Sequence, residues 1–201
     1  MADRIDHDRL YALAESQAGY FTAAQAIGVG MDRSTLRHHA RPGGRYERVA
    51  RGLYRLRHFP SAPHEHVMAA WLGLGEPGGV VSHASALELY DLSDVIPDAV
   101  HISVPRSKRG RRPRAGLRLH TLQRPPGGDE VRRRGGLPVT SPERTVLDAL
   151  EAGTQPEQIE LAIGQAVARG LTTPRRVRMA AASRSTTTRA FVDQVLRDGT
   201  P

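Results

Sequence analysis

The sequence predicts an α/β (α+β) protein: an N-terminal winged helix-turn-helix followed by a mixed α/β domain with a helical C-terminus. A helix predicted over residues 6–18 precedes two short helical segments, a glycine turn and a β-hairpin pattern within 22–56. After the proline-flanked linker 60–63, short β-prone runs alternate with helices, and the remainder is helical. We therefore divide the 201-residue chain into domains 1–60 and 61–201.

The helix-turn-helix prediction depends on local capping chemistry. Thr22 can accept a bond from an unpaired backbone N–H of a short alanine-rich helix, and Gly30 can adopt the positive φ of a tight turn. Asp32 suits the start of the next helix, because its charge complements the positive end of the helix dipole. Met31 is expected to fill the angle between the two helices, and Leu36 and Ala40, one turn apart, are expected to face the core.

The opposite face of this second helix carries Arg, Ser, Arg and His. Such side chains suit the major groove, where arginine pairs with guanine and the others add hydrogen bonds. The hairpin around Arg51-Gly52 forms a basic wing whose arginines are expected to reach phosphates. The structural alternative is an ordinary helical hairpin followed by a solvated β-ribbon. The predicted DNA-binding residues are Arg33, Ser34, Arg37, His38, Arg41, Arg48, Arg51 and Arg55.

Charge points to an anionic partner. The net charge is +8, and the excess of positive charge lies mainly in two blocks, 1–60 and 101–145, separated by a segment without lysine or arginine. The chain has no cysteine, which excludes thiol catalysis, disulfides and thiolate zinc sites. No apolar run is long enough to span a membrane and no signal-peptide core begins the chain, so we expect a cytoplasmic protein that makes no contact with membranes.

The second domain is predicted element by element. A helix over 64–74 is followed by a helix capped by Ser82, and alternating runs at 100–104 and 117–120 predict neighbouring strands. A short strand at 137–140 leads into Ser-Pro-Glu, a strong helix start. Three further helical segments complete the chain.

A strongly basic segment lies between the two central strands. Its candidate phosphate-binding residues are Arg106, Lys108, Arg109, Arg111, Arg112 and Arg114. No aromatic residue is interleaved, so any nucleic-acid contact would be electrostatic rather than base stacking. A solvated connection between strands is the competing interpretation, and contact with RNA is the alternative functional one.

The sequence gives little indication of an enzyme active site or a metal site. His64 and His66 would lie about 200° apart on a helix of 3.6 residues per turn, so they cannot share a ligand face. Ser82, His83 and Asp91 are residue types found in hydrolases, yet no nucleophile-elbow glycines surround Ser82 and its position favours a helix cap. We therefore predict no enzyme activity, no metal and no cofactor.

The sequence resembles the AbiEi family, the antitoxins and transcriptional regulators of type IV toxin–antitoxin systems. The resemblance extends over about residues 5–185. The motifs that carry it are residues 19–57, Val80-Val81-Ser82-His83-Ala84-Ser85-Ala86, Val104-Pro105-Arg106 and the run 136–148, Gly-Leu-Pro-Val-Thr-Ser-Pro-Glu-Arg-Thr-Val-Leu-Asp.

The resemblance implies a winged-helix domain that binds double-stranded promoter DNA and represses its own operon. It also implies that the protein counteracts a nucleotidyltransferase toxin, typically without forming a stable complex with it. We expect a monomer or a DNA-assembled dimer. The alternatives are a stand-alone winged-helix regulator and an RNA-interacting protein without a toxin partner.

Overall fold

The chain forms two compact units. The computed structural model describes residues 5–75, 79–108, 115–122, 124 and 126–198, except for the side chain of Lys108. Unit 1 comprises residues 1–78 with 135–137, and unit 2 comprises 79–134 with 138–201. The helix after the proline-flanked linker thus belongs to the first compact unit. A functional domain boundary at residue 60 remains a prediction.

Unit 1 is a winged helix with one additional helix. Its elements are α1 (His7–Glu15), β1 (Tyr20–Thr22), α2 (Ala23–Gly28), α3 (Arg33–His39), β2 (Tyr46–Ala50), β3 (Leu53–Leu56) and α4 (Glu65–Gly73). The three strands form an antiparallel sheet in the order β1-β3-β2. The central strand is therefore β3, with a partner on each side.

A small apolar core holds these elements together. Phe21, fully buried, stacks on Tyr54 at 5.7 Å between ring centroids and meets Tyr46 edge-on at 5.0 Å. Met31 is buried where α2 turns into α3, as the sequence predicted, and Leu36 points inward from α3. These contacts fix the position of α3 through its inner face and leave its outer face to solvent.

Unit 2 is a five-stranded mixed sheet with helices. Its elements are β4 (Val80–Val81), α5 (His83–Tyr90), β5 (Val100–Pro105), β6 (Leu117–Leu122), β7 (Val131–Arg134), β8 (Leu137–Thr140), α6 (Pro142–Glu151), α7 (Pro156–Ala168), α8 (Pro174–Ala181) and α9 (Thr186–Asp198). Single turns of 3₁₀ helix occur at Arg106–Lys108 and Gly128–Glu130. The predicted fold class is confirmed.

The sheet of unit 2 has the strand order β6-β5-β4-β8-β7. Strand β5 is antiparallel to β4 and parallel to β6, with His101 opposite Arg118 and Ser103 opposite His120. Residues 100–104 are buried at every position, so β5 is covered on both faces. The polar side chains on one face of β5 are therefore buried, a point that the alternating sequence pattern did not predict.

The start of α6 agrees with its sequence. Ser141 accepts a bond from the backbone N–H of Arg144 at 3.4 Å, and Pro142 occupies the first turn. Arg144 pairs with Asp148 one turn later at 3.1 Å. Glu143 has different partners, Arg176 at 2.8 Å and the hydroxyl of Thr172 at 2.7 Å.

In the part of the chain that the structure describes, no helix is both long and apolar enough to cross a membrane.

Candidate nucleic-acid interface

The two helices of the helix-turn-helix are capped as the sequence predicts. Thr22 accepts a bond from the backbone N–H of Gln25 at 3.2 Å, and the Gln25 side chain accepts from the N–H of Thr22 at 2.8 Å, which completes a capping box. Gly30 has a φ of +87° in the turn. Because the turn and both caps are local, the angle between α2 and α3 is set within this segment.

Asp32 organises the first turn of α3. Its carboxylate accepts bonds from the backbone N–H groups of Ser34 and Thr35, at 2.7 and 2.9 Å, and from both of their hydroxyls. The hydroxyl of Ser34, followed by the groups of Thr35, holds the pKa of Asp32 well below its usual range. The cap is therefore ionised at neutral pH.

The outer face of α3 is exposed and basic. Arg33, Ser34, Arg37 and His38 are all exposed, and at 100° per residue they fall within about 140° of one another. The Nε of Arg37 donates to the carbonyl of Arg33 at 3.3 Å, which aligns that side chain along the helix. The arrangement presents two guanidinium groups and an imidazole on a single face, as required for insertion into a major groove.

Two residues of α3 have roles different from base contact. The hydroxyl of Ser34 donates to Asp32 at 2.5 Å, so it serves the cap, although its oxygen can still accept a bond. His39 turns away from the outer face and meets the ring of Tyr46 edge-on at 5.6 Å. Burial, then the charge of Arg45, lowers the pKa of His39.

The wing contributes two of its three predicted arginines. Arg48 and Arg51 are exposed, and Arg41 is exposed where the chain leaves α3. The turn between β2 and β3 is reached through an irregular register between Arg48 and Ala50, and Gly52 has a φ of +74°. These three side chains are therefore accessible to an external partner, and their contact with phosphates stays a prediction.

Arg55 differs from the other predicted wing arginines, because its side chain has partners inside unit 1; its contact with DNA stays a prediction. Its Nη2 is paired with Glu65 at 3.0 Å and also donates to the carbonyl of Pro60, and its guanidinium lies 5.5 Å from the centre of the Tyr20 ring. Only 13% of its side chain is exposed. The physical reason is that β1 pairs with β3 and covers this side of the wing, so Arg55 is held inside unit 1.

Sequence reasoning overlooked Arg57. Its Nε donates to the carbonyl of Gly44 at 2.5 Å, and its Nη2 donates to the carbonyls of Arg41 and Tyr46, both at 3.3 Å. A guanidinium that binds three carbonyls fixes the loop between α3 and β2 and so positions Arg41. Nothing in the local sequence distinguishes Arg57 from the exposed arginines of the wing, Arg48 and Arg51.

The basic segment between β5 and β6 is described only at its start. Arg106 is exposed in the turn that follows β5. The side chain of Lys108 and the residues Arg109, Arg111, Arg112 and Arg114 lie outside the described part of the structure, so their phosphate-binding role stays a prediction.

A winged helix in which the second helix of the helix-turn-helix, here α3, exposes a basic face is typical of DNA-binding transcriptional regulators. Residues 8–57, which span α1 to β3, match the model of a family described as a transcriptional regulator and AbiEi antitoxin. The resemblance read from the sequence is thus confirmed over these residues, and an antitoxin and regulator role is indicated. Over the rest of residues 5–185 the resemblance stays a prediction.

The whole fold also has a structural relative. The crystal structure of the RV2827C protein from Mycobacterium tuberculosis superimposes with a TM-score of 0.61, covering 96% of this chain and 76% of that one. The two sequences are 17% identical, so this similarity concerns the fold alone. No curated protein matches the sequence significantly.

Proposed function

We propose that the protein is the antitoxin of a type IV toxin–antitoxin system and the repressor of its own operon. In this proposal unit 1 binds double-stranded promoter DNA, and the protein counteracts a nucleotidyltransferase toxin without a stable complex. The observation that carries it is the exposed Arg33–Arg37 face of α3, within the segment that matches the AbiEi regulator model.

The roles of individual residues follow from their exposure. Arg33 and Arg37 lie in the groove and donate to guanine edges, each contributing about 1–3 kcal/mol of discrimination between bases. His38 adds a further hydrogen bond at the end of this face. Arg41, Arg48 and Arg51 bind phosphates, which sets the register of the protein on the duplex without reading sequence.

Electrostatic attraction supports low-affinity binding to any duplex, and the base contacts of α3 make binding to the operator tighter. Each phosphate contact releases counterions, so binding weakens as salt rises. Arg48 and Arg51 are the exposed arginines of the wing, whereas Arg55 pairs with Glu65, so we assign the phosphate contacts of the wing to the first two. The basic segment 106–114 is the candidate for additional phosphate contacts, either on flanking DNA or on RNA.

The proposed antitoxin role does not involve a catalytic site. The matched family is a non-enzymatic kind of protein. The proposal therefore has the protein act through binding.

A cellular experiment separates the two activities. A reporter under the operon's own promoter is measured with wild-type protein, with Arg33→Ala/Arg37→Ala, and with the charge-matched control Arg175→Ala/Arg197→Ala, whose residues are exposed in unit 2. We expect derepression only in the first variant. Expressed from an unrelated promoter alongside the toxin of the operon, all three proteins should protect the cells.

The outcomes are distinct. Repression that survives in the α3 variant contradicts the assigned DNA-binding face. Repression by the wild type without protection from any co-expressed toxin contradicts the antitoxin role and leaves a stand-alone regulator.

A further inference from the structure

Unit 2 brings together three histidines that are far apart in sequence. His101 lies on β5, His120 on β6 and His83 at the start of α5. Nitrogen atoms from the three imidazoles all lie within 4.8 Å of one another. We call these residues the histidine cluster. His83 and His101 are buried and His120 is half-buried, so among the three histidines His120 has the most contact with solvent.

We propose that His83, His101 and His120 bind a divalent transition-metal ion of the Zn²⁺ class, with a water molecule as a further ligand. Imidazole nitrogen is a common ligand of such ions, and three histidines with one open position is an established arrangement for zinc. The inference does not depend on DNA binding or on antitoxin activity.

The spacing of the first two ligands suits an ion. The Nδ1 of His101 and the Nε2 of His120 are 3.2 Å apart. At Zn–N distances of 2.0–2.1 Å, two ligands of a tetrahedral ion are separated by about 3.4 Å. The main-chain register supports this pairing, because His120 lies opposite Ser103, two residues along β5 from His101 and on the same face.

The third ligand requires a small rotation. The rings of His83 and His120 are stacked at 3.5 Å between centroids with 14° between their planes, so their in-plane lone pairs cannot both point at one ion. Ligation requires one ring to turn about its Cβ–Cγ bond out of the stack.

Neighbouring hydroxyls provide an outer shell. The Nδ1 of His83 lies 2.8 Å from the Oγ of Ser82, which accepts a bond from the hydroxyl of Ser103 at 2.8 Å. Such a bond to one ring nitrogen leaves the other available to a metal and fixes the ring's orientation. Ser82 was expected to cap α5, but its side chain makes no cap bond, since it faces the cluster instead.

The histidines are electrically neutral ligands. Burial, followed by the neighbouring imidazoles, lowers the pKa of His83 to about 3 and that of His120 to about 4, and burial also lowers the pKa of His101. Neutral imidazole is the form of histidine that binds a metal ion.

The charges around the cluster are compensated in pairs. Arg118 pairs with Asp98 at 3.4 Å, and Arg144 and Arg184 both pair with Asp148. Asp148 and Asp98 also act electrostatically on the cluster and oppose the effect of the arginines. The surroundings therefore add little net repulsion against a cation.

The test uses the full chain with Zn²⁺ and with Co²⁺ as a spectroscopic probe. We expect one Zn²⁺ per chain by calorimetry, a higher Tm with Zn²⁺, and the intense visible bands of tetrahedral Co²⁺. His101→Gln and His120→Gln should each weaken binding by more than about 10-fold, and Ser82→Ala by about 10-fold as an outer-shell change. His66→Gln, an exposed histidine of unit 1, is the matched control and should bind as wild type.

Nuclear magnetic resonance tests the site in the wild-type protein, without any substitution. Zn²⁺ should shift the imidazole ¹⁵N signals of the three clustered histidines and leave the other six in place. The half-buried His120 is the substitution to use if His101→Gln does not fold, as judged by circular dichroism. Wild-type protein that binds no Zn²⁺, or imidazole signals of the cluster that do not move with it, would overturn the proposal.

Discussion

Removing the Asp148 carboxylate tests how unit 2 holds its helices together. Only 5% of this side chain is exposed. One oxygen receives Arg184 at 2.6 Å and the other receives Arg144 at 3.1 Å, so a single carboxylate connects α6 to the segment before α9. The exposed fraction of the side chain is 10% for Arg144 and 19% for Arg184.

The expected cost follows from the charges left behind. Loss of one partner of a buried pair typically costs about 3–5 kcal/mol, because the other charge is left uncompensated. Arg144 retains Glu130 at 2.9 Å and Arg184 retains Glu151 at 2.6 Å, both on more exposed carboxylates. We therefore expect Asp148→Ala to lower the free energy of unfolding by about 3 kcal/mol, the lower end of that range.

The assay is urea unfolding followed by far-ultraviolet circular dichroism. Trp71, the only tryptophan, lies in unit 1, so its fluorescence does not report on α6. Asp193→Ala is the control, since Asp193 pairs with Arg178 at 3.5 Å with about half of each side chain exposed, and should cost about 0–1 kcal/mol. Equal effects of the two substitutions would refute the assigned difference between buried and exposed pairs.

Three further predictions follow from the same contacts. Because the pKa of each clustered histidine is lowered, the folded state binds fewer protons than the unfolded one, so stability present above pH 6.5 should fall by up to about 1.4 kcal/mol per clustered histidine per pH unit on acidification to pH 5, and the half-buried His39 of unit 1 should act in the same direction; a flat profile from pH 7 to 5 would contradict this. Arg48→Ala should weaken promoter binding without changing stability, whereas Arg55→Ala should lower the free energy of unfolding by about 1.5–3 kcal/mol through loss of its Glu65 bond. If both variants are fully folded and lose the same amount of DNA affinity, the different roles assigned to Arg48 and Arg55 are wrong. Arg109→Ser/Arg111→Ser/Arg112→Ser should flatten the slope of log affinity against log salt by up to about 0.9 per lost phosphate contact, with base preference retained; an unchanged slope and unchanged protection from toxin would leave the segment a solvated connection.

The parts of the fold that sequence predicted correctly depend on residues a few positions apart. Thr22, Asp32 and Ser141 each cap the helix that follows, because the donor they satisfy lies two or three residues on. Met31 and Leu36 are buried as their spacing indicates. Local chemistry was therefore enough to place α3 and its exposed face.

The corrections arise where distant segments meet. The wing was interpreted as a two-stranded ribbon, yet β1 pairs with β3, and this third strand encloses Arg55. Alternation along β5 predicted a strand but not the burial of His101 and Ser103, which depends on distant segments such as α5 packing on β5. The histidines weighed as metal ligands were the adjacent His64 and His66, because proximity in sequence was the only signal available.

The most direct test of the central claim is an equilibrium titration of a duplex from the operon's own promoter at fixed salt. The wild type, Arg33→Ala/Arg37→Ala and the control Arg175→Ala/Arg197→Ala are compared by fluorescence anisotropy against the promoter duplex and a scrambled duplex. We expect the α3 variant to lose about 1–3 kcal/mol of promoter-specific binding per arginine that reads a base, with folding unchanged and the control close to wild type. Wild-type affinity in the α3 variant, or an equal loss in the control, would contradict the assignment of α3 as the recognition helix.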